Sequence, residues 1–192
     1  MEWNVTFMGP VGSGKTTAIR TISDIEVVNT DARATDEVAR MKSTTTVSMD
    51  VGVLMLGDKD KLRLYGTPGQ DRFDFMWDIL LEQSKGVLLV INHASEKPLE
   101  DLEHYFTELR ARDAIKPLPV VVCISHIDER ADRPLSMYHD YFKDQIKMPT
   151  ENIPPILTMD ARNKDQVRAA LVAMTALLEM AERFPKSVQL AE

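Results

Sequence analysis

Val5-Thr6-Phe7-Met8-Gly9-Pro10-Val11-Gly12-Ser13-Gly14-Lys15-Thr16-Thr17 joins an apolar run to the pattern G-x-x-x-x-G-K-[ST]. Glycines in that pattern let the backbone wrap a phosphate chain so that successive N–H groups point at its oxygens. Lys15 then supplies positive charge to the β- and γ-phosphates, and Thr16 a hydroxyl to Mg²⁺. The apolar run reads as a strand and Thr17-Ala18-Ile19 as the start of a helix whose N-terminus faces the phosphates. Gly9, Val11, Gly12, Ser13, Gly14, Lys15, Thr16 and Thr17 are therefore the candidate nucleotide-binding residues of this loop. The loop alone leaves open which nucleotide is bound and whether it is hydrolysed.

Outward from the loop, strand and helix patterns alternate. Trp3–Met8 is the expected first strand and Lys15–Ser23 the first helix. Ile25 to Ser43 is polar and weakly patterned, so Asn29–Lys42 is expected to be a long mobile connection with a helical turn at Thr35–Met41. Val47–Leu56 and Lys61–Tyr65, separated by Gly57-Asp58-Lys59-Asp60, read as a hairpin. A helix over Arg72–Gln83 carries Phe73, Met76, Trp77, Leu80 and Leu81 at helical spacing. The remainder alternates Gly86–Ile91, Leu99–Ala114, Leu118–Ile124, Leu135–Lys147, Ile156–Met159 and Lys164–Arg183. This predicts an α/β fold over residues 1–192 as one domain: a P-loop NTPase with a mostly parallel six-stranded sheet, one strand antiparallel, flanked by helices.

Composition narrows the partners. The 192 residues carry a net charge of −7 and no basic run, which argues against nucleic acid and against anionic membranes. The single cysteine, Cys123, lies in the apolar run Val120–Ile124, so no internal disulfide forms and a reducing compartment is compatible. No apolar stretch is long enough to span a membrane, Glu2 stands where myristoylation needs glycine, and the last residues hold no prenylation box. The expectation is a cytoplasmic chain without a direct membrane anchor.

Further motifs follow the loop in a set order: Thr46, Gly66-Thr67-Pro68-Gly69-Gln70, Ser125-His126-Ile127-Asp128 and Asp160-Ala161-Arg162. In this the chain resembles the small Ras-like GTPases over nearly its whole length. The stretch Tyr65 to Phe73 looks most like a bacterial branch, similar to the gliding-motility polarity GTPase and to GTPases encoded beside roadblock-type proteins. The resemblance implies that Thr46 is the first-switch threonine, its hydroxyl joining Thr16 on Mg²⁺. It implies that Gly69 offers its N–H to the γ-phosphate and that Gln70 is catalytic, orienting the attacking water. Asp128 would accept from the N1–H and exocyclic amine of guanine. Ser125 and His126 stand where the family has Asn and Lys, so bracing of the base loop is expected to be weaker, with the imidazole free to stack. Ala161 would direct its N–H to the base O6, and Arg162 stands where Lys is usual.

Two departures bear on chemistry. Gly66 replaces the aspartate that usually holds a Mg²⁺-bound water, and no nearby carboxylate is expected to replace it, since Asp71 and Asp74 lie on the wrong side of the turn. Looser metal dependence follows. Val11 occupies a loop position where glycine is common and would crowd Gln70 or an incoming arginine, implying slow intrinsic hydrolysis. Arg33 and Arg40 are candidates for an arginine supplied in cis.

The leading expectation is thus a molecular switch that binds GTP with Mg²⁺, hydrolyses it slowly to GDP, and signals through segments around Thr46 and Gln70 to a roadblock-type partner. The alternatives are a non-hydrolysing GTP-bound scaffold, towards which Val11, Gly66 and Ser125-His126 lean, and a P-loop ATPase.

Overall fold

The structure is a computed structural model and describes residues 2–31, 48–57, 60–68, 74–112 and 117–184. Seven strands form one sheet in the order β2-β3-β4-β1-β5-β6-β7. They are β1 Glu2–Met8, β2 Val28–Asp31, β3 Ser48–Met55, β4 Lys61–Gly66, β5 Gly86–Asn92, β6 Val120–Ser125 and β7 Ile156–Thr158. β3 pairs antiparallel with both of its neighbours, while the pairings from β4 through β7 are all parallel. The six expected strands and the single antiparallel one are present. The seventh, β2, falls where a connection was expected, pairing Val28–Asp31 with Val51–Ser48 at the sheet edge.

Alternation along the central strands sends side chains to two layers. Val5, Phe7, Leu88, Val90, Val121 and Cys123 face one side, beneath helices α1 (Lys15–Ile22) and α5 (Lys164–Arg183). Met8, Val87, Leu89, Ile91, Val122 and Ile124 face the other, beneath α2 (Asp74–Gln83), α3 (Pro98–Arg112) and α4 (Ser136–Asp140). The helix expected over Leu135–Lys147 is shorter, giving way after Asp140 to a π-helical turn, Tyr141–Gln145, that buries Tyr141 and Phe142. α5 has its expected bounds because Asn163 caps it, the side chain accepting from the N–H groups of Asp165 (3.0 Å) and Gln166 (3.2 Å). Among the described residues no helix is long and apolar enough to cross a membrane.

The strand order reverses at β1, whose neighbours are β4 on one side and β5 on the other. In open α/β sheets, ligands sit beyond the carboxyl ends of the strands at such a point. Here that edge gathers the ends of β1, β4, β5, β6 and β7. Because β3 runs the other way, it contributes its beginning, Ser48-Met49-Asp50.

Candidate functional site

The glycine-rich loop follows β1 and leads into α1, the expected order of strand, loop and helix. Gly9 packs so closely on β5 that a Cβ would lie 2.1 Å from the Val90 carbonyl oxygen, and only glycine fits. Gly12 and Gly14 adopt positive φ of 76° and 96°, and Gly14 precedes the first residue of α1, Lys15. Lys15 is 7% exposed, and its ammonium donates to the carbonyls of Gly9 (2.6 Å) and Pro10 (2.7 Å). Burial pulls its pKa down to about 8 against the opposing attraction of Asp50. Val11 stands 65% exposed on the loop.

Asp50 is the residue that sequence reasoning missed. Gly66 is its register partner across the β3–β4 pair. A Cβ at 66 would lie 3.2 Å from Asp50 Cβ and 3.3 Å from Asp50 Oδ2. The glycine therefore makes room for a carboxylate supplied by the next strand, and the expectation that nothing replaces the missing aspartate is corrected. Thr16 Oγ1 donates to Asp50 Oδ2, while Asp50 Oδ1 is buried without a hydrogen-bond partner among the described residues. A buried carboxylate oxygen left over beside a threonine hydroxyl is a hard oxygen donor set, which fits Mg²⁺. No local motif could have signalled this, because Asp50 and Gly66 meet only through strand register.

Two side chains brace the loop from the side of β5 and β6. Ser125 Oγ lies 2.8 Å from the Ser13 carbonyl oxygen, 3.1 Å from that of Ile91 and 2.9 Å from His126 Nδ1. Its one proton suits the nearer carbonyl, and its lone pairs can accept from the imidazole. Serine at 125 thus ties the end of β6 to the loop through the Ser13 carbonyl. Asn92 Nδ2 adds a longer contact to the Gly12 carbonyl, 3.4 Å. His93, fully buried, meets Tyr138 Oη at 2.7 Å through Nδ1, while the Arg133 guanidinium donates to the carbonyls of His93 (2.6 Å) and Ser95 (3.0 Å). These ties fasten the segment after β6 to the end of β5.

A cleft of about 140 Å³ opens beside the loop, and Gly14, Thr17, Ser125, His126, Asp128, Ala161 and Arg162 all line it. His126 turns the chain with φ of 55°, and Ala161 sits buried against Gly14, where an added Cβ would approach its own Cβ to 3.1 Å. Arg162 spans the cleft mouth. Its Nε donates to Asp160 Oδ1 (2.9 Å), and its Nη2 to Asp160 Oδ2 (3.0 Å) and Asp128 Oδ2 (3.3 Å). The hydrogen bonds from Arg162 hold the Asp160 carboxyl below its ordinary pKa, and the same bonds raise that of the guanidinium. A larger, mainly apolar cleft of about 510 Å³ lies between α4 and β7, lined by Leu135, Tyr138 and Pro155, and takes in none of the expected site residues.

The structure thus brings together the expected residues of the loop, Ser125, His126, Asp128, Ala161 and Arg162. Thr46, Gly69, Gln70, Arg33 and Arg40 lie outside the described residues, as do the contacts expected of Val11 with Gln70.

Comparison with known proteins gives the same broad picture. ADP-ribosylation factor-related protein 1 of Bos taurus is 28% identical over 87 residues, 45% of this chain and 43% of that protein. The Homo sapiens protein of the same name is 29% identical over an equal span. An uncharacterized protein of Methanocaldococcus jannaschii is 29% identical over 103 residues, 53% of this chain and 58% of that one. The chain spans about half the length of the curated relatives it matches. These matches support a nucleotide-binding P-loop protein distantly similar to small GTPases; the narrower likeness to the polarity GTPase and to roadblock-linked GTPases finds no support in them. A sequence family matches residues 24–192, beginning just past α1 and taking in Ser125, His126, Asp128, Ala161 and Arg162 of the cleft. On that match the chain belongs to the family described as conserved hypothetical ATP binding proteins.

Proposed function

We propose that this protein is a guanine-nucleotide switch that binds GTP with Mg²⁺ and hydrolyses it slowly. The observation that carries the reading is the placement of two carboxylates around the start of α1: Asp50 beside Thr16, and Asp128 in the cleft lined by Gly14 and Thr17. Asp128 offers acceptors to the N1–H and exocyclic amine of guanine, a donor edge that adenine lacks. Thr16 and Asp50 would hold Mg²⁺, with Thr46 joining them. Held there, Mg²⁺ would supply positive charge to offset that of the phosphates.

The chain's own groups do the rest. Loop N–H groups from Gly12 to Thr16 orient the phosphates, and Lys15 turns its ammonium to them. Gln70 positions the attacking water, with Gly69 contributing its N–H to the γ-phosphate. Segments around Thr46 and Gln70 order with GTP and relax on hydrolysis, and a roadblock-type protein reads that difference. Val11 limits the intrinsic rate to the scale of an unassisted Ras-type enzyme, about 10⁻⁴ s⁻¹ or below.

A second reading, adenine-nucleotide binding, is favoured by the family's description. The deciding experiment identifies the copurifying nucleotide and measures GDP, GTP, ADP and ATP affinities with and without Mg²⁺, followed by single-turnover phosphate release. Tight guanine preference with slow release supports the switch. An adenine preference moves the assignment to the ATPase, and guanine binding with no release at all moves it to the fixed scaffold.

A further inference from the structure

Helix α5 buries Val167, Ala170, Leu171, Met174 and Leu178 against the sheet and leaves its opposite face open. Along that face apolar residues run between charged ends. At 3.6 residues per turn, Ala169, Val172, Ala176 and Met180 fall along one outward line. Val172 is 60% exposed and Met180 57%. Scattered single apolar residues are ordinary on a surface; a row of them down one helix face marks a contact.

The charges around this row identify the occupant. Asp165 and Arg183 are 18 positions apart, five full turns, so both lie on the row's axis at its two ends. Arg168 and Glu179 lie one step inside them, on the same flank. Reading down that flank gives acid, base, acid, base. Each charge is exposed and at present pairs within its own helix, Arg168 with Asp165 (3.1 Å) and Arg183 with Glu179 (3.0 Å).

We propose that this face is a homodimer interface, with α5 of a second copy packed antiparallel about a twofold axis level with residue 174. A twofold of that kind keeps each flank against its own kind and reverses the order along the helix. Asp165 then meets Arg183 of the second copy at both ends, and Arg168 meets Glu179. On the other flank Ala169 lies opposite Met180, and at the centre Val172 lies opposite Ala176, large against small at each level. A parallel arrangement would place each charge against its own copy, Asp165 on Asp165 and Arg183 on Arg183. The sequence of charges is therefore self-complementary in one orientation only.

Sedimentation of the full-length protein across a concentration series tests this, with circular dichroism confirming that each variant is folded. The expected result is a reversible dimer whose dissociation constant rises about tenfold or more on Val172→Glu, the scale of a central interface position. Asp165→Arg and Arg183→Asp should each weaken the dimer alone. Mixed together, those two single variants should form a heterodimer, because one presents arginine and the other aspartate at both ends. A wild-type protein that stays monomeric to its solubility limit overturns the proposal. So does a dimer indifferent to Val172→Glu, or a mixture of the charge variants that associates no better than either alone.

Discussion

Asp50 and Gly66 face each other across the β3–β4 pair, and the missing side chain at 66 is what admits the Asp50 carboxylate to the Thr16 hydroxyl. Asp50→Asn keeps the size of the side chain and removes its charge. Mg²⁺-supported nucleotide affinity should fall about 10–100-fold, the usual cost of losing a group that supports a metal site. Affinity measured in chelator should change far less. Equal losses in both conditions would remove Asp50 from the metal site.

Gly66→Ala introduces a Cβ within 3.0 Å of Ile19 Cδ1 and 3.2 Å of Asp50 Cβ. Overpacking of this kind costs about 1–3 kcal/mol. Urea denaturation should show the midpoint lowered and the slope unchanged, and a neutral outcome would mean that the two strands separate more readily than their packing indicates.

Lys15 provides a pH dependence with opposite signs for folding and for binding. Its pKa in the folded protein is about 8, below the ordinary lysine value, so the unfolded chain holds more protons between that pH and the unfolded value. Stability of the nucleotide-free protein should rise across this window, by up to about 3 kcal/mol from this residue. Nucleotide affinity should move the other way, falling above pH 8 as the ammonium needed by the phosphates is lost. Titrations at stepped pH, with Lys15→Met as the flat control, separate the two.

Ser125→Ala removes the hydrogen bond to the Ser13 carbonyl and should cost about 1 kcal/mol of stability together with a several-fold loss of nucleotide affinity. Asp128→Ala should act on selectivity instead, reducing the guanine-over-adenine preference by two or more powers of ten, since a hydrogen-bonding site discriminates on that scale. Competition binding with paired nucleotides reads both variants. Unchanged selectivity in Asp128→Ala would count against guanine recognition.

Val11→Gly should speed single-turnover GTP hydrolysis with little change in affinity. If the rate is unaltered, crowding by the valine is not what limits the reaction.

Much of this was legible in the residues, for reasons that particular elements make plain. The phosphate loop could be read because its geometry depends on glycines fixed in local order, and Gly9, Gly12 and Gly14 all take conformations that require them. α5 could be read because its amphipathic stripe is a local signal. β2 could not: four residues at a sheet edge carry no periodicity, and its partner β3 lies 17 or more positions away. Asp50 was hidden for the same reason, since its meaning depends on which residue of β4 stands opposite. The contact of Ser125 with the Ser13 carbonyl was likewise set by the spatial approach of β6 to the loop, not by neighbours in sequence.

The pairing of positions 50 and 66 constrains how such a chain can change by mutation. Gly66→Asp alone would press a second carboxylate onto the first, so the step towards an acid at the end of β4 is closed while Asp50 remains. Asp50→Gly alone would leave the threonine hydroxyl without its acceptor. The two arrangements are separate peaks joined only through a disfavoured single mutant. A scan for the missing acid must therefore examine the strand opposite as well as the turn itself.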